Sequence, residues 1–299
     1  MTILLLGASG QVGHELRSTL AALGEVVALG QPVIDFAIPE SLRAVVRRHR
    51  PSVIVNAAAY TAVEKAEEYV ETAVAVNAAA PGILAEEAAA LGAALVHYSS
   101  DYVFDGTKTA PYVETDMTAP LSIYGRSKRD GELALRPCQK RLIFRTSWVC
   151  GAHGNNFIKT ILRLAKERRN LRVVADQFGA PTSAALLADI TAKVLTQMTG
   201  QPATDPRWGL YHVAAGGETS WHGLACHAIG RASAMGLELQ ASPETIDRVS
   251  TEEYPARARR PANSRLATVK LRETFAVTLP DWTVGVNAVL DRLVPEMRR

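Results

Sequence analysis

The chain has 299 residues, 47% of them hydrophobic and 21% charged, and its formal net charge is only +3 at pH 7. This composition suffices for a substantial core and argues against disorder, while the small charge without a long basic run argues against nucleic acid as a partner. The three cysteines, Cys138, Cys150 and Cys226, have no metal-like spacing and form no even disulfide framework, which favours a reduced, cytoplasmic protein.

The first residues predict a strand. Residues 1–6 lack the basic start of a signal peptide and run directly into a glycine-rich turn. No stretch is expected to reach the length that spans a bilayer, so we expect no membrane partner.

Strands and helices alternate through the first half of the chain. We expect strands at 3–6, 26–29, 53–56, 94–100 and 141–145, and helices at 15–23, 42–48, 73–91 and around Tyr124. Such alternation predicts an α/β fold with a Rossmann-type, doubly wound parallel sheet.

The pattern changes after Trp148. A loop at 151–156 and an amphipathic helix at 157–166 indicate a second lobe, whereas a helix at 184–198 and a strand at 209–213 indicate a return to the sheet. We therefore expect a nucleotide-binding domain of residues 1–150 and 180–215. A smaller, interleaved substrate lobe would contain residues 151–179 and 216–299.

A glycine-rich turn follows the first predicted strand. Its three glycines permit a tight turn, close approach of the backbone to a pyrophosphate, and close helix packing, while the next helix directs its positive N-terminus at the phosphates. Its position predicts a dinucleotide site, with an ordinary tight turn as the alternative. The residues expected to hold the cofactor here are Gly7, Gly10, Gln11, Val12 and Gly13.

Two further segments extend this predicted site. The second strand ends at Gly30, without the acid that would hold a ribose 2′-hydroxyl and without an arginine for a 2′-phosphate, so both NADH and NADPH stay open. Asp35 and Phe36 are expected beside the adenine. The small side chains of residues 56–61 would let the backbone approach the cofactor, with tight strand-to-helix packing as the alternative.

Tyr124 and Lys128 lie four residues apart on a predicted helix and therefore share a face. A phenol with a pKa of about 10 needs a nearby cation to favour its phenolate, and Lys128 would supply it. Ser100 ends a predicted strand, and ligands of open parallel sheets bind beyond the carboxyl ends of the strands. These three residues predict the catalytic site of a nicotinamide-dependent reductase, whereas the Tyr-x-x-x-Lys spacing alone also suits a solvated helix face.

Other polar and aromatic residues have two interpretations each. Asn77 would either steady a water beside Lys128 or pack helices together. Trp148 would either face the sugar or base or belong to the core, and Asp101 would either accept a sugar hydroxyl or cap a turn. A nucleotide diphosphate or a solvated loop would account for the basic cluster of Arg257, Arg259 and Arg260.

Nearly the whole chain resembles the extended short-chain dehydrogenase/reductase family and, within it, the dTDP-4-dehydrorhamnose reductases. The segments that carry the resemblance are 7–13, 53–59, 97–104, 124–128, 144–149, 154–157, 176–182 and 260–265. The resemblance implies cofactor contacts from Gly10, Gln11, Val12, Asp35, Phe36, Ala59, Tyr60, Thr61 and Tyr98, besides Tyr124 and Lys128. It also implies that the dTDP-sugar is bound by Ser100, Asp101, Tyr124 and Trp148.

The reaction implied by the resemblance is reduction by NADPH or NADH of the C4 keto group of dTDP-4-dehydro-L-rhamnose to give dTDP-L-rhamnose. Tyr124 would give a proton, Lys128 would hold the nicotinamide ribose, and Ser100 would hydrogen-bond the carbonyl oxygen. Ser100 stands where threonine is frequent. Some members are homodimers with Mg²⁺ near an acid that matches Glu15, but Ala185 stands where a second acid is expected, so no metal ligand is assigned.

Related activities need residues that this chain lacks. Dehydratases of the same fold resemble one another in an Asp-Glu pair after the catalytic hydroxyl, and GDP-sugar epimerase-reductases use a cysteine and histidine pair. Neither pair stands beside Ser100. The alternatives left open are a reductase of a different nucleotide 4-keto-6-deoxy sugar and an NADP-binding regulatory subunit like that of some methionine adenosyltransferases.

Overall fold

The computed structural model describes residues 1–30 and 32–298. Its strands are β1 (Thr2–Leu6), β2 (Glu25–Leu29), β3 (Val53–Asn56), β4 (Ala94–Ser100), β5 (Arg141–Thr146), β6 (Val149–Cys150), β7 (Leu171–Val174), β8 (Phe178–Gly179), β9 (Thr182–Ser183), β10 (Gly209–His212), β11 (Thr219–Ser220) and β12 (Ile246–Val249). Its helices are α1 (Gln11–Ala21), α2 (Pro39–His49), α3 (Val63–Ala66), α4 (Val70–Val74), α5 (Ala80–Leu91), α6 (Ile123–Ala134), α7 (Phe157–Glu167), α8 (Ala184–Met198), α9 (Trp221–Ala234), α10 (Val269–Phe275) and α11 (Trp282–Met297).

Six parallel strands form the central sheet in the order β10, β5, β4, β3, β1, β2. This confirms the predicted Rossmann-type, doubly wound α/β fold. The strand order reverses at β1, which has β2 on one side and β3 on the other. Open sheets of this kind bind ligands at the crevice where the order reverses.

Helices cover both faces of the sheet, which explains why its inner strands are continuous apolar runs. Helices α1 and α8 pack over one face, and α2 and α5 pack over the other. In β1 the side chains from Ile3 to Leu6 are completely buried. A third apolar core lies outside the sheet and joins α7, α9 and α11 to β7 and β12.

One helical run is longer than we expected. Helix α4, a π-helical turn at Ala75–Ala79 and helix α5 follow one another without a break, so that Val70–Leu91 is a 22-residue helix. Its length and composition would allow it to cross a membrane, so the expectation that no stretch reaches that length is wrong. Half of the run is buried inside the fold, where Leu84 and Ala88 pack in the core, and core helices meet the same criterion.

Helix α6 lies unusually close to the π-helical turn. A Cβ atom added to Gly131 would lie 2.1 Å from the carbonyl oxygen of Asn77, so only glycine permits this approach. A second glycine of the helix, Gly125, lies against the backbone of Tyr102, where a Cβ atom would be 2.2 Å from the carbonyl oxygen. These two contacts set how closely α6 approaches the π-helical turn and the residues that follow β4.

We predict that Gly131→Ala lowers the free energy of unfolding by about 2 kcal/mol, because the added methyl group forces two backbones apart. The matched control is Gly230→Ala in α9, where the added Cβ would first meet Pro243 at an ordinary 3.4 Å. That change should be neutral or slightly stabilising, since alanine favours helix over glycine. Urea unfolding measures both effects, and equal values for the two variants would contradict the prediction.

Candidate active site

The glycine-rich turn has the geometry of a phosphate cradle. Gly7 has a φ of +78°, and a Cβ atom there would lie 2.5 Å from the amide nitrogen of Ala58. A Cβ atom on Gly13 would lie 2.1 Å from the carbonyl oxygen of Gly7. Helix α1 begins at Gln11, and its N-cap, Gly10, provides no side chain to occupy the first amides. The turn therefore fits the pyrophosphate of a dinucleotide.

The segment after β3 lies directly beside this turn. Ala59 and Tyr60 are half-buried and Thr61 is exposed. Asn77 holds the segment in place, because its Oδ1 accepts the amide of Tyr60 at 2.9 Å and its Nδ2 donates to the Tyr60 carbonyl at 3.0 Å. Nδ2 also donates to Ser127 of α6 at 3.1 Å. These contacts correspond to the packing interpretation of Asn77, and the water beside Lys128 stays a prediction.

Three of the residues expected at the cofactor take part in the fold itself. Phe36 is buried in the core beneath α2, and exposed Asp35 accepts the amide of Ala37 at 2.9 Å. The phenol of Tyr98 is buried against α8, where its oxygen lies 2.5 Å from Oγ1 of Thr191. Their roles in binding a cofactor stay predictions.

Ser100 and Tyr124 converge on one cavity of about 530 Å³. Ser100 is the last residue of β4, and Tyr124 lies in the first turn of α6, whose N-cap Ser122 accepts the amide of Gly125 at 3.1 Å. The Ser100 hydroxyl lies near enough to the Tyr124 phenol to influence its pKa. The edge of the Tyr102 ring also packs on Tyr124, with 5.3 Å between ring centroids.

Burial controls the protonation of these groups. It raises the pKa of Tyr124 to about 12, because a buried phenolate loses its hydration, and the nearby Ser100 hydroxyl opposes the rise only in part. The sequence led us to expect that Lys128 would lower this pKa. Instead its Nζ donates to the carbonyl oxygen of Tyr98 at 2.6 Å, and burial lowers the pKa of Lys128 itself to about 8.

Asp101 is a buried acid at the cavity. Its Oδ1 accepts the Ser100 hydroxyl at 3.0 Å, while Oδ2 has no hydrogen-bond partner among the described residues. Burial raises the pKa of Asp101 to about 6, and the hydroxyls of Ser264 and Ser100 offset part of that rise. An unpartnered buried oxygen beside a cavity is suited to accept a hydroxyl group from a ligand.

Trp148 lies at the cavity in a fixed orientation. Its φ is +49°, a left-handed conformation that costs a non-glycine residue energy. The indole stacks on Trp221, with centroids 3.6 Å apart, and its edge rests against Gly179, where a Cβ atom would be only 2.7 Å away. One face of the ring is therefore covered by protein.

Several cavity residues were missed by the sequence analysis. Thr146 ends β5 beside Ser100, and its buried Oγ1 has no partner in the described part of the chain. The rule that ligands bind beyond strand ends would have identified it. Five of the others lie in segments that carry the family resemblance, although no role was assigned to them: Tyr102, Asn155, Asn156, Phe157 and Gln177. Val63 and Trp221 have no comparable signal.

Gln11 joins the predicted cofactor helix to the cavity. Its Oε1 accepts a hydrogen bond from Nδ2 of Asn156 at 2.9 Å, and the same Nδ2 donates to the Gly151 carbonyl at 2.7 Å.

Six of the residues expected to bind the cofactor or the substrate line the cavity: Gln11, Thr61, Ser100, Asp101, Tyr124 and Trp148.

The basic cluster is only partly directed at the cavity. Arg260 lines it and is held by Glu64, with Nη2 2.8 Å from Oε1. Arg257 pairs with Glu68 at the surface. The exposed Arg257 thus corresponds to the solvated alternative, whereas Arg260 faces the cavity.

The described residues include no cluster of three or more His, Cys, Asp or Glu side chains that could hold a metal ion. Glu15, the acid that the resemblance associates with Mg²⁺, instead forms an ion pair with Arg292, with Oε1 2.6 Å from Nη1. Glu15 thus has a cationic partner within the chain, and the expectation about a metal near it stays a prediction.

Comparison with known proteins gives consistent matches over the whole chain. The model of the RmlD substrate binding domain family matches residues 1–294. The dTDP-4-dehydrorhamnose reductase of Shigella flexneri is 49% identical over 298 residues, with 98% of each protein covered. A solved dTDP-4-dehydrorhamnose reductase of Clostridium acetobutylicum has a TM-score of 0.89 at 34% identity and covers 98% of this chain and 99% of that one. The enzyme of Bacillus anthracis, solved in complex with NADP, has a TM-score of 0.87 at 34% identity and covers 97% of this chain and 98% of its own.

We predict that Gly13→Ala weakens binding of NADPH by about tenfold or more, equivalent to about 1.4 kcal/mol, because the methyl group opens the turn. Gly230→Ala is the control, since it adds the same group to a helix outside the cradle. Titration followed by cofactor fluorescence measures both affinities. Unchanged affinity in the Gly13 variant would show that the turn does not hold the cofactor.

Burial of Asp101 should also be visible in the pH dependence of stability. Its pKa rises from an ordinary 3.8 to about 6, so between these values the folded protein binds a proton that the unfolded chain does not. The stability contributed by protonated Asp101 is complete below pH 3.8 and is lost as the pH rises through 6. Asparagine does not titrate. The free energy of unfolding of Asp101→Asn, measured relative to that of wild type, should therefore rise by about 3 kcal/mol from pH 3 to pH 7. Denaturant unfolding at both pH values tests this, and a difference that does not change with pH would contradict it.

Proposed function

This chain belongs to the RmlD substrate binding domain family, and we propose that it is the NADPH- or NADH-dependent enzyme that reduces the C4 keto group of dTDP-4-dehydro-L-rhamnose to give dTDP-L-rhamnose. Relatives of the same name match it at 49% and 48% identity over nearly their full length. The observation that carries the proposal is the convergence of the Ser100 hydroxyl and the Tyr124 phenol on one cavity.

The residues of the cradle fit a dinucleotide. We propose that the cofactor is held by the backbone of Gly7, Gly10, Gln11, Val12 and Gly13 together with the neighbouring segment from Ala59 to Thr61. When bound, the reduced nicotinamide supplies the hydride for the reduction. Buried Lys128 would hold the nicotinamide ribose, and Asp35, Phe36 and Tyr98 complete the proposed cofactor contacts.

Tyr124 is suited to donate a proton to the developing alkoxide. With its pKa raised to about 12, the phenol is almost fully protonated at neutral pH. Ser100 would donate a hydrogen bond to the same oxygen, as a fixed donor aimed where negative charge develops. The cation of Lys128 would favour the phenolate that remains after proton transfer.

The substrate is proposed to lie against Asp101 and the free face of Trp148. Asp101 has an oxygen without a partner among the described residues that could accept a sugar hydroxyl, and Trp148 offers a flat apolar surface.

We propose that the sheet with its helices is the nucleotide-binding domain and that the core of α7, α9 and α11 belongs to the substrate lobe. The three cysteines of the chain are free thiols, which supports a cytoplasmic enzyme. Formation of a homodimer stays a prediction.

We predict that Tyr124→Phe lowers kcat by about 10²–10⁴-fold, because it removes the proton donor and leaves the ring in place. NADPH binding should change little. The measurement is NADPH oxidation, followed by absorbance, with dTDP-4-dehydro-L-rhamnose generated in situ. The matched control is Tyr69→Phe, which removes a hydroxyl from an exposed tyrosine outside the cavity and should leave kcat unchanged.

Two outcomes would contradict the proposal. Full activity of the Tyr124 variant would remove its role as the acid. A wild-type protein that binds NADPH and never oxidises it with this substrate would favour the regulatory alternative, and turnover with another nucleotide 4-keto-6-deoxy sugar would change the substrate.

A further inference from the structure

Helix α6 carries a row of three ionisable side chains, Tyr124, Lys128 and Glu132. They are spaced by four residues, so they lie along one face of the helix, which packs on the central sheet. Tyr124 reaches the cavity, whereas Lys128 is 2% exposed and Glu132 is 8% exposed. The row therefore runs from the cavity into the protein interior.

Glu132 connects this helix to two strands. Arg145 of β5 donates from Nε to Oε1 at 2.8 Å and from Nη2 to Oε2 at 2.7 Å, a two-pronged and buried ion pair. Ser99 of β4 also donates to Oε1 at 2.5 Å. Since Ser99 and Arg145 are paired in the sheet, the next pair along the strands is Ser100 and Thr146, both at the cavity.

Glu132 also lies between two buried cations, Lys128 and Arg145. Within the described residues, the groups around Lys128 are the carbonyl of Tyr98 and the imidazole of His97 from β4, besides Tyr124 and Glu132 of its own helix. Burial and the nearby Lys128 hold the pKa of His97 well below its ordinary value, so the imidazole is neutral. Glu132 thus supplies the negative charge that favours the ammonium.

We propose that Glu132 is a positioning residue of the reduction: through Arg145 and Ser99 it fixes α6 against the strand ends, and its charge keeps Lys128 cationic at neutral pH. This inference rests on the function proposed above. Arg145 pairs with Glu132 on the side away from Lys128, so the three side chains form one buried network. Burial lowers the pKa of Lys128 to about 8 and Glu132 opposes that effect, so loss of the carboxylate moves the titration to lower pH.

The test is the pH profile of kcat/KM for Glu132→Gln, which keeps the shape of the side chain and removes its charge. We expect the alkaline limb of this profile, where kcat/KM falls as the pH rises, to lie about one pH unit lower than in wild type. The charged fraction of Lys128 at pH 8 would then fall from about one half to about one tenth, and kcat/KM at that pH would fall about fivefold. A limb that does not move overturns the inference.

Two further variants separate this effect from misfolding. Glu132→Gln combined with Arg145→Met leaves no buried arginine without its partner and should show a shift in the same direction, so it tests the inference if the single variant does not fold. The matched control is Glu87→Gln, because Glu87 is a buried acid of α5 that pairs with Arg43 and Arg47. It should lower stability without moving the limb, and a shift of the same size there would overturn the specific role of Glu132.

A measurement without substrate distinguishes this inference from the proposed function. Carbon NMR of protein labelled at the lysine Cε follows the titration of Lys128, which is assigned with Lys128→Arg. A lower titration pH in Glu132→Gln supports the role of Glu132 even if wild type does not reduce the dTDP-sugar, in which case the proposed function fails alone. An unchanged titration overturns the inference even if the enzyme is active.

Discussion

Helix α6 can approach its neighbours closely because Gly125 and Gly131 have no side chains where the helix meets the backbones of Tyr102 and Asn77. Most of the site depends on this approach. It brings the Tyr124 phenol to the Ser100 hydroxyl at the end of β4, and it lets the Lys128 amine reach the Tyr98 carbonyl. A helix held about 1 Å further out would break the Lys128 hydrogen bond while the sheet remained intact, since a donor and acceptor at about 3.6 Å no longer form a hydrogen bond.

Loss of water is the second determinant of the site's chemistry. The same burial that raises the pKa of Tyr124 lowers that of Lys128, because each group loses hydration of its charged form. A neutral phenol is the form a reduction needs from its acid. Burial disfavours the charged form of Lys128. The carboxylate of Glu132, one helical turn further into the protein, partly offsets that effect. The proposed catalytic groups and the ion pair of Glu132 with Arg145 therefore belong to one electrostatic system.

The sequence predicted the parts of this protein that depend on local patterns. Apolar runs and glycines identified β1 and its turn, and helix α8 has the predicted bounds of 184–198. Ser100, Tyr124 and Lys128 could be predicted to lie near one another because strand ends and a four-residue helical spacing have fixed geometry. Contacts between distant segments could not be found in this way, as Trp221 behind Trp148 and Arg145 beside Glu132 show. The direction of the Tyr124 pKa was also wrong, because a sequence shows which charges are near in the chain but not how much water burial removes.

The π-helical turn at Ala75–Ala79 changes the rotational phase of the long helix that contains it. In an α-helix each residue advances by about 100°, and a π turn accommodates one residue more than an α turn does. That extra residue sets the angle between Asn77, which turns toward Tyr60 and Ser127, and Leu84, which turns into the core. A homologue that lost one residue here would have to give up either the polar contacts or the apolar packing, so the length of this segment is as constrained as its composition.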